Sequence, residues 1–427
     1  MTLSWKNQLK LLFFIYSLGS GGAERVTANL ANHWARKGWD VTLVTLASHT
    51  GDFFALDPAI RRVSLGLAAE SSNPLAGAAR NARRVLALRR TLKRVRCDVA
   101  ISMMSTSNVI LALASLGMNG VCAIGSERVF PPRLPLGRIW EIMRTRTYGG
   151  LAAVVALTQE CADWLKANTL AVRVPVIPNA VPWPLPEQPP KLNPAALSLA
   201  GKKILLAAGR LSPQKNFEAL IEAFAEVASR HPDWRVVIVG EGPQRPALEE
   251  RVRRHGLCER VLLPGGAGNM ADWYGLADLF VLSSRFEGFP NVLAEAMAHG
   301  LPAVSFDCDT GPRDIIRNGV DGILVPSGDV PGLGRAIEHL MAGDALRARM
   351  ASSASDARSR FSVERIASQW EGLFDTLRGG RPLQARPAAG SARKDAACAP
   401  LSPAREGRAD ASRSMDIQRS GVSGRGG

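Results

Sequence analysis

No two of the six cysteines, at 97, 122, 161, 258, 308 and 398, form a CxxC pair, and no histidine cluster stands beside them. That sets aside zinc ribbons, thioredoxin-like redox motifs and disulfide scaffolds, and buried, reduced thiols are expected. A bilayer-spanning apolar run is also missing. The uncharged stretch Val99 to Ser126 is broken by Ser105-Thr106-Ser107-Asn108, Gly117 and Gly120, which suits strand, helix, strand inside a parallel sheet. Lys6 and Lys10 followed by LLFFIYSL imitate a short signal peptide. The apolar run passes into GSGGAER rather than a small-x-small site, however, and reads as a first buried strand. GxGxxG is absent because Glu24 stands in the last glycine's place, so the loop alone specifies no more than a tight turn. No aromatic residue interrupts the basic run Arg80 to Arg96, which argues against base stacking and nucleic acid.

What is present describes a large, basic α/β protein. A chain of 427 residues, 46% apolar, has material for two cores. The formal charge is +15; ten basic and four acidic residues from Arg378 onward contribute +6, leaving +9 for the rest. Such a surplus favours anionic partners. The expected organisation is an N-terminal domain over 1–177, a Pro-rich linker over 178–200, a second domain over 201–360, a helix over 361–378 and a disordered basic tail over 379–427.

Strand and helix patterns alternate through both halves. Leu9 to Tyr16, Val41 to Leu46, Cys97 to Met103, Val121 to Gly125, Ala152 to Thr158 and Arg173 to Ile177 read as strands, and Asp52 to Leu65 as an irregular strand pair. The helix Ala23 to Lys37 has Val26, Leu30 and Trp34 on its apolar face. In RNARRVLALRRTLKRVR, Val85, Leu88, Leu92 and Val95 form a narrow stripe amid eight basic residues. That face is either simply solvated or turned to anionic lipid or a diphosphate-linked acceptor. In the second half, Lys203 to Ala208 leads through Gly209-Arg210-Leu211 and Lys215-Asn216 into the helix Phe217 to Arg230. Val236 to Val239 and Val261 to Leu263 are further strands, and Ala345 to Arg360 a helix.

The stretch FVLSSRFEGFPNVLAEAMAHGLPAV then reads as strand, loop, helix, strand, with Glu287 in the loop and Glu295 in the helix. Both acids can face the crevice at the strand's C-terminal end. The amides that open the helix near Asn291 and Val292 suit an anion. Acids for hydroxyls and amides for phosphate describe a nucleotide-sugar site. Asp307-Cys308-Asp309 is formally a DxD, but it follows this helix rather than closing a nucleotide site, and it reads as a surface turn with no metal.

Glu287 to Glu295 resembles the E-x7-E motif of retaining GT-B glycosyltransferases. SRFEGFPNVLAEAMAHGLPAVSFD, GGAER, G-R-L-x-x-x-K-N and the G-x-G-P turn Gly240-Glu241-Gly242-Pro243 are similar to glycosyltransferase family 4 in the same order. The resemblance implies a GT-B fold: two Rossmann-like doubly wound parallel-sheet domains facing across a cleft, with a C-terminal helix crossing back. It implies a retaining, metal-independent hexosyltransferase without a cofactor beyond its UDP-sugar donor. Glu287, Arg210 and Lys215 would be catalytic, and Gly22, Arg210, Lys215, Glu287, Asn291, Val292 and Glu295 would bind the nucleotide sugar. Relatives place a histidine on the acceptor side; this chain has none there, and Glu127 is the substitute, with an ion pair to a nearby arginine as its other reading. The implied acceptor is a glycolipid or polyprenyl-diphosphate-linked saccharide used for polysaccharide or lipopolysaccharide synthesis. The enzyme would be cytoplasmic and peripheral on the inner face of the cytoplasmic membrane. A transferase for soluble sugars and a non-catalytic nucleotide-sugar or polyanion binder are the alternatives.

Overall fold

Strands β1 (Lys10–Ile15) and β7 (Lys203–Ala208) each stand inside a six-stranded parallel sheet in the computed structural model, which describes residues 9–69, 74–197 and 199–378. The first sheet adds β2 (Asp40–Thr45), β3 (Arg61–Ser64), β4 (Val99–Met103), β5 (Cys122–Ser126) and β6 (Ala153–Val155), in the order β3-β2-β1-β4-β5-β6. The second adds β8 (Trp234–Val239), β9 (Val261–Gly265), β10 (Leu279–Leu282), β11 (Ala303–Asp307) and β12 (Gly322–Pro326), in the order β12-β11-β10-β7-β8-β9. In each sheet the chain runs outward on one side of the founding strand and then resumes on the other. The switch points therefore fall between β1 and β4 and between β7 and β10. Residues 11–15 and 204–208 are buried throughout, as strands covered by helices on both faces require.

The helix Gly22–Arg36 buries Val26, Leu30 and Trp34, the stripe expected from their spacing. The last helix, Val363–Leu377, begins where Ser362 Oγ accepts from the Arg365 amide at 3.2 Å, an N-cap. It belongs in sequence to the second half but packs on the first. Phe374 lies 5.6 Å from Trp34 between ring centroids, and Trp34 Nε1 donates to Glu371 at 2.9 Å. Ile366, Trp370 and Phe374 are fully buried, each contributing about 1.5–3 kcal/mol of apolar burial. This is the crossing helix that the resemblance implies.

Some local readings change. Asp52 to Leu65 holds one strand, β3, after a single turn at His49–Gly51, because the Phe53-Phe54 pair packs as a loop instead of pairing. Arg173 to Ile177 runs beside β6, the Val154 and Ala156 amides donating to the Arg173 and Pro175 carbonyls and the Ile177 amide to Ala156 O, but it forms a bridge between Ala156 and Val176 rather than a full strand. Ala345 to Arg360 is two helices, Asp344–Ala354 and Ala357–Arg360, and the basic helix begins earlier, at Pro74. Cys97, Cys161 and Cys308 are buried as expected, whereas Cys258 is exposed. No helix among the described residues is long and apolar enough to cross a membrane. The tail 379–427 lies outside the described residues.

Candidate active site

β7 and β10 are hydrogen-bonded neighbours, so the loops leaving their C-terminal ends lie side by side. They are stitched together: the Arg285 amide donates to Gln214 O at 2.9 Å, and Ser283 Oγ to Lys215 O at 2.9 Å. The result is that Lys215, after β7, meets Glu287, after β10. Lys215 Nζ donates to Glu287 Oε1 at 2.6 Å, and Ser284 Oγ donates to the same oxygen at 2.6 Å. Glu287 is buried, and Thr310 Oγ1 holds its main-chain carbonyl.

Glu295 lies further along, on the helix Asn291–Ala298, and is only 1% exposed. It has the same kinds of partner in a different arrangement. Tyr274 OH donates to Oε2 at 3.1 Å, and Arg25 Nη1, from the first helix of the other sheet, donates to Oε1. The Glu295 carboxylate is the main cause that raises the Arg25 pKa, and burial pushes the Tyr274 phenol well above its usual value. Beside Arg25, a cavity of about 140 Å³ is lined by Phe53 and Phe54 on one side and by Gly268 and Met270 on the other.

The remaining expected residues occupy distinct places. Gly22 approaches the second sheet's helix closely: its carbonyl accepts from Asn291 Nδ2 at 3.4 Å, and a Cβ at Gly22 would stand 3.1 Å from that nitrogen. The Val292 carbonyl accepts from Tyr274 OH at 3.3 Å. Arg210 is exposed and close enough to Glu24 to favour its carboxylate, although burial dominates there and raises the Glu24 pKa. Asp307 pairs with Arg313 at 2.9 Å and Asp309 with Arg133, and no group of acids, histidines and cysteines suited to a metal occurs among the described residues.

Glu127 is turned inward. It is fully buried, its oxygens accept from Ser105 Oγ and from Tyr148 OH (2.7 Å), and burial raises its pKa. Its neighbour Arg128 turns instead toward Asn179, at 2.5 Å, and Asn179 Nδ2 donates to Asn291 Oδ1 at 2.7 Å. The Arg128 carbonyl lies so near Gly288 that a Cβ there would stand 2.5 Å away, so the turn after Glu287 has room only for glycine. Arg25, Tyr274, Arg128 and Asn179 were not singled out from sequence. Arg25 ends the GGAER stretch and Tyr274 is one of only three tyrosines, the two signals that could have drawn notice.

Comparison with known proteins bears on family and fold. The family described as Glycosyltransferase Family 4 matches residues 20–182, and that described as Glycosyl transferases group 1 matches residues 202–343. An exopolysaccharide phosphotransferase of Streptomyces coelicolor is 36% identical over 293 residues, 68% of this chain but only 30% of that protein's length. The GalNAc-alpha-(1->4)-GalNAc-alpha-(1->3)-diNAcBac-PP-undecaprenol alpha-1,4-N-acetyl-D-galactosaminyltransferase of Campylobacter jejuni is 26% identical over 375 residues, covering 85% of this chain and 97% of that one. Among solved structures, Anabaena HepE in complex with UDP superimposes with a TM-score of 0.69 at 21% identity, covering 86% of this chain and all of its own, a likeness of fold. With the two family matches falling one on each parallel sheet, and the E-x7-E acids at the second sheet's switch point, the chain belongs to the group 1, family 4 glycosyltransferases of GT-B fold.

Proposed function

We propose that this protein is a retaining transferase that moves a hexose or N-acetylhexosamine from a UDP-sugar to a glycolipid or polyprenyl-diphosphate-linked saccharide. The observation that carries the reading is the pair of buried acids, Glu287 and Glu295, each already engaged by one cation and one hydroxyl. Donor binding is then an exchange of partners. The diphosphate takes over Lys215, with Arg210 and the amides at Asn291 and Val292 completing its surroundings. Ribose hydroxyls replace Arg25 on Glu295, and sugar hydroxyls reach Glu287.

Cleavage of the sugar-phosphate bond puts negative charge on the leaving diphosphate and positive charge on the sugar. The fixed cations and helix amides stabilise the first, and Glu287 lies near the second. The leaving phosphate itself takes the acceptor's proton on the same face, which retains configuration. Fixed cations do the work a metal would do, so chelation should leave turnover unchanged. The name of the Campylobacter relative supports a lipid-linked acceptor, and the complex of HepE supports UDP. Exposed Ile139, Ile142, Leu170 and Val172, with exposed Arg83, Arg90 and Arg94 on the basic helix, support peripheral contact with an anionic cytoplasmic membrane.

The test is a panel of UDP- and GDP-sugars offered to the purified chain, read as donor hydrolysis and transfer. Glu295→Ala and Lys215→Ala should each abolish most of the signal while remaining folded. Unchanged turnover in both variants rejects the assignment. Flotation with anionic liposomes separates acceptor classes, since absence of salt-sensitive binding favours a soluble sugar.

A further inference from the structure

Arg128 is an anomaly for a buried cation. It is 7% exposed, and it forms no ion pair among the described residues. Its Nε and Nη2 instead reach Met103 Sδ at 3.3 and 3.1 Å, and Nη1 reaches Asn179 Oδ1 at 2.5 Å. Burial pulls its pKa down to about 9. An unpaired guanidinium is costly in such a place, and an acid in place of Asn179 would relieve it.

The chain of hydrogen bonds that starts at Arg128 explains what an amide does that an acid would not. Asn179 Nδ2 donates to Asn291 Oδ1 at 2.7 Å, and Asn291 Nδ2 donates to Gly22 O at 3.4 Å. A guanidinium can only donate, and a main-chain carbonyl can only accept. Both carboxamides between them must therefore point the same way. Arg128 fixes Asn179 Oδ1 toward itself; Asn179 then offers N–H to Asn291, and Asn291 has its own N–H turned away from Asn179. The relay passes from the end of β5, through the segment joining the two sheets, to the first residue of the helix that carries Glu295, and back to the glycine loop after β1.

We propose that Arg128 and Asn179 are positioning residues for the donor: they hold the Asn291 carboxamide so that its N–H, never its oxygen, faces the diphosphate at the start of the helix Asn291–Ala298. This rests on the transferase reading above. The last link, at 3.4 Å, is the longest in the relay, so Gly22 O loses little when a phosphate oxygen takes the N–H over.

Asn179→Asp separates positioning from packing. The carboxylate gives Arg128 its counter-ion, so the variant should melt at or above the wild-type temperature and above Asn179→Ala. It also accepts from Asn291, which reverses that carboxamide and points its oxygen at the phosphate. Affinity for UDP, measured by titration calorimetry on the full chain, should fall about tenfold or more, as expected for a charge-assisted hydrogen bond turned repulsive. Asn291→Ala should weaken UDP similarly, and the double variant Asn179→Asp/Asn291→Ala should be no weaker than the worse single one, because both act through one N–H. Wild-type affinity in Asn179→Asp, or losses that add in the double variant as general charge repulsion would require, overturns the positioning role alone. A wild-type chain that binds neither UDP nor GDP overturns the donor reading and this role together.

Discussion

Glu287 and Glu295 share a residue type, a motif and burial, and each is held by one cation and one hydroxyl, yet the two arrangements differ in reach. Glu287 takes Lys215 and Ser284, 72 and 3 residues away and all on loops of one sheet. Glu295 takes Tyr274, 21 residues away, and Arg25, 270 residues away on the other sheet. One acid is organised by its own domain's switch point, and the other ties two sheets together. The difference teaches that a single motif can combine a local charge pair with a long-range one, and that perturbing each should give different signatures.

Glu295→Ala should have the largest effect. It removes the ribose acid and leaves Arg25 without its partner, so transfer should fall by at least about a hundredfold. Urea unfolding should show a loss of about 1–3 kcal/mol, discounted because the Arg25 side chain is 27% exposed. Hydrogen exchange at the start of the helix Gly22–Arg36 should quicken. Lys215→Ala comes next, with turnover again down about a hundredfold, but exchange in that first helix should stay at the wild-type rate. If both variants loosen the helix equally, the contrast between local and long-range acids breaks.

Arg25→Met sharpens the contrast from the other side. It cuts the tie between sheets while keeping both acids, so exchange in the first helix should quicken as in Glu295→Ala. UDP affinity should change by no more than about fivefold, the worth of a partly exposed ion pair. A loss as large as that of Glu295→Ala would make Arg25 a donor ligand rather than a stand-in for one.

The smallest effect concerns an acid in neither pair. Burial pushes the Asp314 carboxyl from 3.8 up to about 6. A raised folded pKa means that the stability contributed by the protonated group is complete below about 4 and is lost as pH rises through about 6. Asp314→Asn removes that loss, so its melting temperature should exceed wild type by about 1–2 °C at pH 8 and match it at pH 4, by calorimetry. A gain that is the same at both pH values would refute the titration.

How much was legible follows from range. The strands β7 and β10, the helix Asn291–Ala298 and the stripe Val26, Leu30, Trp34 are set by apolar periodicity and turn residues within a dozen positions, and they stand where their sequence places them. Lys215 was within reach through the G-R-L-x-x-x-K-N signature, and it meets Glu287 because neighbouring parallel strands put their loop exits at one end of a sheet. Glu127 stands in the resemblance as the substitute for a missing acceptor-side histidine. That Glu127 is buried instead depends on what covers the strand's end, here Ser105 and Tyr148, and neither partner is adjacent in sequence.

Composition, period and loop chemistry thus sufficed for two doubly wound sheets and for placing Glu287 and Glu295 in one strand-loop-helix unit, while the cations Arg210 and Lys215 come from the family resemblance. Only the packing of the sheets against each other decided that Arg25 closes on Glu295 and that the Arg128, Asn179, Asn291 relay reaches Gly22. Hydrogen bonds are short and directional, so they select partners by where two surfaces meet in space, a relation to which no local pattern of residues is sensitive.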